Sequence, residues 1–187
     1  RAGVELTFCI GMTKDYDIAS EDPQVRARGV EFLKQQAEML GYMEARNLGG
    51  IIYSSWPGSL PEGVTDRRPY LDRSVESMRE AVKVAEDNDA FLNVEVVNRF
   101  EQFLINTASE AVEYCERVGS AHCKVMLDTF HMNIEEDSFH DAIVKTGKWL
   151  GHFHLGETNR RAPGRGRIPW EEIGEALNEI DYSGAVV

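Results

Sequence analysis

The sequence predicts an α/β protein built as a (β/α) barrel, of whose eight-stranded plan about six strands fit into 187 residues. Two observations carry this. Short, mostly continuous apolar runs of strand length alternate with longer segments of helical period, the pattern of parallel strands covered on both faces. Conspicuous polar residues also fall at or just after the ends of successive strands: Cys9, Trp56, Glu95, Asp128 and His154. An open doubly wound sheet collects its ligand at a switch point between two strands, whereas a closed ring brings the C-terminal ends of many strands into one mouth. Complete barrels run to ~250 residues, so the expectation is one barrel domain over residues 1–187, cut at both ends.

The elements follow in order. The first strand reads over residues 4–9. The helix after it opens with Asp22 as N-cap and Pro23 at the first helical position, carries Val30, Leu33, Ala37 and Leu40 on one face, and stops at Gly41. A second strand spans 50–54. The Pro- and Gly-rich stretch 56–66 reads as a long strand-to-helix loop and not as a domain boundary. Helices are predicted near 71–86, 106–118, 137–145 and 169–180, and the intervening strands at 92–97, 124–128 and 150–154, with a last one at 184–187.

Composition narrows the function. The chain is 42% hydrophobic, enough for a proper core, and carries 20 Lys and Arg against 32 Asp and Glu, a formal charge of −12. That balance repels nucleic acid and anionic membrane surfaces and suits a small neutral or metal-chelated ligand. Cys9, Cys115 and Cys123 are odd in number and lack CxxC spacing, which indicates neither a disulfide framework nor a zinc ribbon and favours a reducing cytoplasm. No apolar run approaches the ~20 residues that cross a bilayer, and no leader pattern is present, so no membrane or targeting role is expected.

The chemistry concentrates at strand ends. Glu95 and Asp128 close apolar strands, and an unpaired buried carboxylate is costly enough that its repetition points to a compensating cation. Gly151-His152-Phe153-His154-Leu155-Gly156-Glu157 adds alternating histidines at a third strand end, followed by Arg160, Arg161, Arg165 and Arg167. Each residue has a plainer alternative. Glu95 reads equally as half of a salt bridge to Arg99, and Asp128 as the cap of the following turn. His152 and His154 share a face; His154, nearer the C-terminal end, is the better ligand, and His152 the better packed residue. His131 alone reads as an ordinary half-buried histidine, Arg160 as part of a solvated loop, Cys9 as a small buried hydrophobe and Trp56 as a lid over the mouth.

Four stretches together identify a family resemblance: Phe8-Cys9-Ile10-Gly11; Glu95-Val96-Val97-Asn98-Arg99-Phe100-Glu101; Met126-Leu127-Asp128-Thr129-Phe130-His131-Met132-Asn133; and the His152/His154 segment. They closely resemble the ketohexose 3-epimerases of the D-tagatose and D-psicose (D-allulose) type, within the xylose-isomerase-like TIM barrel superfamily. Arg68-Pro69-Tyr70-Leu71-Asp72-Arg73 and Pro163-Gly164-Arg165-Gly166-Arg167 extend the likeness over essentially the whole chain. The resemblance implies two further strands before Arg1 and a Met-Glu-Pro stretch after Val187. It implies a divalent ion, usually manganese with cobalt or magnesium as substitutes, held by Glu95, Asp128, His154 and a second Glu beyond Val187. It implies inversion of C3 through a cis-enediolate, with Glu95 and that second Glu as acid and base on opposite faces. Glu101, His131 and Arg160 match positions that hold the O1 to O3 end of the sugar, Trp56 and Cys9 positions that shape the pocket. A homodimer or homotetramer is also implied. The rival readings are a sugar isomerase of the same barrel type, a non-catalytic sugar-binding fragment and a metal-dependent DNA-repair endonuclease, the last opposed by the acidic charge and the few histidines.

Overall fold

The structure is a computed structural model that describes residues 5–187. Six strands form one parallel sheet in the order β1-β2-β3-β4-β5-β6: β1 (Thr7–Met12), β2 (Asn47–Ser55), β3 (Phe91–Glu95), β4 (Cys123–Asp128), β5 (Leu150–His154) and β6 (Ala185–Val186). Parallel neighbours cannot be joined by a tight turn, so each connection crosses over through helix. These are α1 (Pro23–Met43), α2 (Arg68–Asp87), α3 (Ala108–Val118), the consecutive α4 (Thr129–Glu135) and α5 (Phe139–Thr146), and α6 (Trp170–Glu179). Contacts of β5 with β2 and β3, which are not its sheet neighbours, show that the sheet curls as part of a barrel. β1 and β6 are its edges among the described residues.

Local chemistry sets these elements much as the sequence reading expects. The Asp22 carboxylate accepts from the Gln24 N–H (2.8 Å), and Val30, Leu33, Ala37 and Leu40 are buried. The helix runs past Gly41 to Met43 and ends on Glu44 in the left-handed region (φ 56°). Gly41 is not the stop signal it resembles: a Cβ there would lie 2.4 Å from Asn88 Oδ1, so the glycine lets α1 approach the end of α2. β2 is longer than predicted. Gly50 (φ +117°) lies inside it, where a Cβ would stand 2.0 Å from the Ile10 carbonyl oxygen. α3 starts on a capping box between Thr107 and Glu110, and α5 on Ser138. The predicted first strand shifts to Thr7–Met12, and Val4, its expected start, lies outside the described residues. α4 was not expected.

The core has two parts: the barrel interior, and the layer between strands and helices where Leu33, Met78, Tyr114 and Ile143 are fully buried. No helix among the described residues is long and apolar enough to cross a membrane. Cys9 departs from its expected burial and is exposed. It lies in β1, an edge of the sheet among the described residues.

Candidate active site

Strand register brings the candidate residues to one rim. In a parallel sheet paired residues face the same side, and Asp128 in β4 pairs with His154 in β5, while Glu95 closes β3 beside Met126. Side-chain oxygens of Glu95 and Asp128 and a ring nitrogen of His131 lie within 4.8 Å of one another, and all three residues are buried. His154 is half-buried and stands next to Asp128 but is not one of this trio.

Glu95 is 6% exposed and receives no hydrogen bond from any described residue. Arg99, its expected structural partner, turns away and makes a fork with Glu135 (Nη2 to Oε2 2.7 Å). Burial first, then the negative charge of Asp128, pushes the Glu95 carboxyl up to about 8, and the positive charge of Arg160 only partly offsets this. Asp128 takes the capping role read for it and pairs with an arginine as well. Its Oδ1 accepts from the Phe130 N–H (2.7 Å) and caps α4, while Oδ2 faces Arg160 Nη1 at 3.1 Å. The Arg160 guanidinium is held by stacking over the Phe130 ring, 3.7 Å from its centre.

His131 comes from the first turns of α4. Its Nδ1 lies 2.7 Å from Asn98 Nδ2 and 3.3 Å from the Asn98 main-chain N–H, and its Nε2 lies 3.3 Å from Arg160 Nη2. Asn98 also donates to Glu101 Oε1 (2.9 Å), whose other oxygen accepts from the Trp56 indole (3.2 Å). Trp56 is 45% exposed at the mouth and rests on Gly11. Burial lowers the pKa of both His131 and His154, keeping both rings neutral, and holds His152, deeper in β5, at about 4. The Cys9 thiol is pushed up to about 12, by desolvation first and then by Glu95 and Asp128. Cys9 is thus an exposed residue that carries a neutral thiol.

Two residues that sequence reasoning did not select build the rest of the rim. The Thr129 hydroxyl accepts from the Gly156 N–H (2.8 Å) and donates to the Gly156 carbonyl (2.7 Å), stitching the segments after β4 and β5 together. A Cβ at Gly156 would come within 3.2 Å of Asp128 Oδ1. Glu157 is fully buried and gathers the following loop, accepting from the Gly164 N–H (2.6 Å), the Trp170 indole (2.7 Å) and the Ile168 N–H (3.3 Å). Burial alone would raise its pKa; these bonds outweigh it and hold the carboxyl below its ordinary range.

The donors fit a divalent cation. Two buried carboxylates lie together with a single guanidinium beside them, and one has no hydrogen-bond donor of its own, an arrangement stable only when positive charge or a proton joins it. Carboxylate oxygen with neutral imidazole suits a hard or borderline ion, and the neutral Cys9 thiol offers no thiolate to a soft one. The raised Glu95 pKa gives a test. Between its ordinary value of 4.5 and about 8 the folded protein holds a proton that the unfolded chain has released, so stability falls as pH rises through that window. A cation that replaces the proton abolishes the loss. Thermal scans of chelated protein are expected to show Tm falling with pH across this range, and scans with manganese to show little change. A Tm that rose with pH in the chelated protein would assign the dominant titration elsewhere.

Comparison with known proteins agrees with the geometry. The family model of the xylose isomerase-like TIM barrel matches residues 1–187. A D-psicose 3-epimerase of Ruminiclostridium cellulolyticum is 47% identical over 99% of this chain and 63% of its own, and one of Agrobacterium fabrum is 46% identical over 99% and 64%. An L-ribulose 3-epimerase of Mesorhizobium japonicum is 36% identical over 97% and 60%. The crystal structure of D-psicose 3-epimerase with D-tagatose from Clostridium cellulolyticum H10 superposes with a TM-score of 0.95 at 47% identity, covering 99% of this chain and 64% of that one. The chain thus spans about three fifths of the length of these relatives. With six parallel strands curled around a carboxylate and imidazole rim, the chain belongs to the xylose isomerase-like TIM barrel family, and along its whole length it is similar to proteins named D-psicose 3-epimerase.

Proposed function

We propose that the protein is a metal-dependent ketohexose 3-epimerase that interconverts D-fructose with D-psicose and D-tagatose with D-sorbose. The observation that carries the reading is the Glu95–Asp128 pair, two carboxylates buried together at the strand ends with His131, His154 and Arg160 around them. The relatives named D-psicose 3-epimerase support the substrate class.

A divalent ion, manganese first and cobalt or magnesium as substitutes, would be held by Glu95, Asp128 and His154 and would supply positive charge against the negative charge that develops on the sugar when C3 loses its proton. His154 is the third ligand in this reading and His131 is not, because the two donors of Asn98 already engage His131 Nδ1. The Nε2 of His131 therefore carries the proton and has no lone pair to offer. Glu95, whose proton the bound cation would replace, is the base that takes the C3 proton to its carboxylate oxygen and leaves an enediolate. The resemblance assigns the opposite face to a second Glu in the chain after Val187, which returns a proton to C3 and inverts it. Glu101, His131 and Arg160 hold the O1 to O3 end and keep the enediolate flat between the two acids. Trp56 and Cys9 border the pocket, the thiol as a contact and not as a nucleophile. The reading retains a reducing, cytoplasmic setting, supported by the free buried thiols of Cys115 and Cys123, 3.8 Å apart, and a homodimer or homotetramer, supported by the resemblance.

Incubating the full-length enzyme with D-fructose in heavy water is the test. D-psicose carrying deuterium at C3 is expected, to the extent that the base exchanges its proton with solvent before returning it. An aldose product would move the protein to the carbonyl-shifting isomerases of the same barrel type, and absence of turnover with any ketohexose would overturn the reading.

A further inference from the structure

We propose that Asn98 is a positioning residue that fixes the His131 imidazole as its Nε2–H tautomer and so aims that N–H, together with Arg160, at a single substrate oxygen; the substrate part rests on the ketose reading above. Asn98 is 2% exposed and follows Glu95 by three residues. Its main-chain N–H, 3.3 Å from His131 Nδ1, can only donate. Its side-chain Nδ2 stands closer, at 2.7 Å.

The orientation of the Asn98 carboxamide is dictated by two other contacts. The Phe100 N–H donates to Oδ1 (3.0 Å), and the Glu101 carboxylate takes Nδ2 as its donor (2.9 Å). Turning the carboxamide over would set donor against donor at Phe100 and acceptor against acceptor at Glu101. Nδ1 of neutral His131 is thus an acceptor, and its proton lies on Nε2.

The far side of the ring then gains a meaning. Nε2–H faces Arg160 Nη2 at 3.3 Å, and two donors cannot bond each other. Arg160 is not free to swing away, since its Nη1 meets Asp128 and its plane lies on Phe130. Two fixed donors that face each other converge on a third group with lone pairs, which a sugar hydroxyl or carbonyl oxygen supplies. The same tautomer keeps His131 from competing with His154 for a cation although its ring lies beside both carboxylates. Asn98 also fixes Glu101, so one carboxamide sets two of the groups that meet the substrate.

The experiment reads the tautomer directly, in full-length, magnesium-loaded, nitrogen-15-labelled protein, from two-bond proton–nitrogen correlations of the imidazoles, with the His131 signals assigned by their loss in His131→Gln. The wild type is expected as Nε2–H. In Asn98→Asp the carboxylate accepts from the ring, so the proton is expected on Nδ1, with kcat/KM for D-fructose lowered ~10–100-fold, the range for loss of a partner that orients a site histidine. Asn98→Ala retains the main-chain donor and is expected to keep Nε2–H while raising KM through release of Glu101. A wild-type His131 found as Nδ1–H overturns the proposal, and needs no variant to fold. So does an Asn98→Asp protein whose tautomer is unchanged. A tautomer that switches as expected, in a protein whose wild type turns over no ketose, upholds the hold of Asn98 on His131 and sinks the ketose reading instead.

Discussion

Replacing Glu95 by Gln is expected to lower the conversion of D-fructose to D-psicose by ~10²–10⁴-fold, the contribution of a positioned acid or base, while a divalent ion still binds with reduced affinity. Gln keeps the volume and one oxygen of Glu95 but has no proton-accepting carboxylate. The substitution also removes the like charge beside Asp128, so the chelated variant should lose the fall in Tm between pH 4.5 and about 8 that Glu95 imposes on the wild type. Rate, metal titration and thermal scans on one variant therefore separate three roles of a single carboxylate. Full activity in the Gln variant would remove Glu95 from proton transfer, and loss of the ion in parallel with activity would leave it as a ligand only.

The second large effect distinguishes the histidines. His154→Ala is expected to weaken manganese binding by more than the ~10–100-fold lost when only an outer partner is removed. His131→Gln is expected to keep the ion and lose turnover through weaker hold on the sugar. Both should fold, since the residues at the rim carry little of the core, which lies below among the apolar side chains of strands and helices. Metal content by elemental analysis decides the matter. Retention of the ion in His154→Ala with loss in His131→Gln would exchange the two roles and contradict the Nε2–H form of His131.

The alternation of strand and helix was legible because parallel strands covered on both faces are mostly apolar, and the runs ending at Glu95, Asp128 and His154 are so apart from Asn93, Lys124 and His152. Gly41 misled because a glycine at a helix crossing and a glycine at a helix end look alike in one dimension; only the position of Asn88 tells them apart. α4 was hidden for a related reason. It is seven residues long, and its cap is Asp128, which the sequence presents first as a ligand. Within the site, residue types at strand ends could be read, but pairings could not. Nothing local says that Arg99 leaves Glu95 for Glu135, 36 positions away, or that Asn98 spends both donors on residues from two segments. Such choices are made by tertiary geometry alone. Glu157, which the sequence did not single out, turns inward to its own loop for the same reason.

The stitch between Thr129 and Gly156 divides the rim into a fixed floor and an adjustable wall. Asp128 and His154, before it, are held by strand register; the segment after it, from Glu157 to Trp170, is gathered by the Glu157 carboxylate, while Arg160 reaches back from it to Asp128 and Phe130. Changes of sequence at positions 162–163, beyond Arg160 and the Arg161 carbonyl that Glu157 engages, would therefore reshape the entrance with least effect on the groups at its base. For engineering, that makes this loop the place to alter which sugar is admitted, and Thr129 and Gly156 the pair to leave untouched.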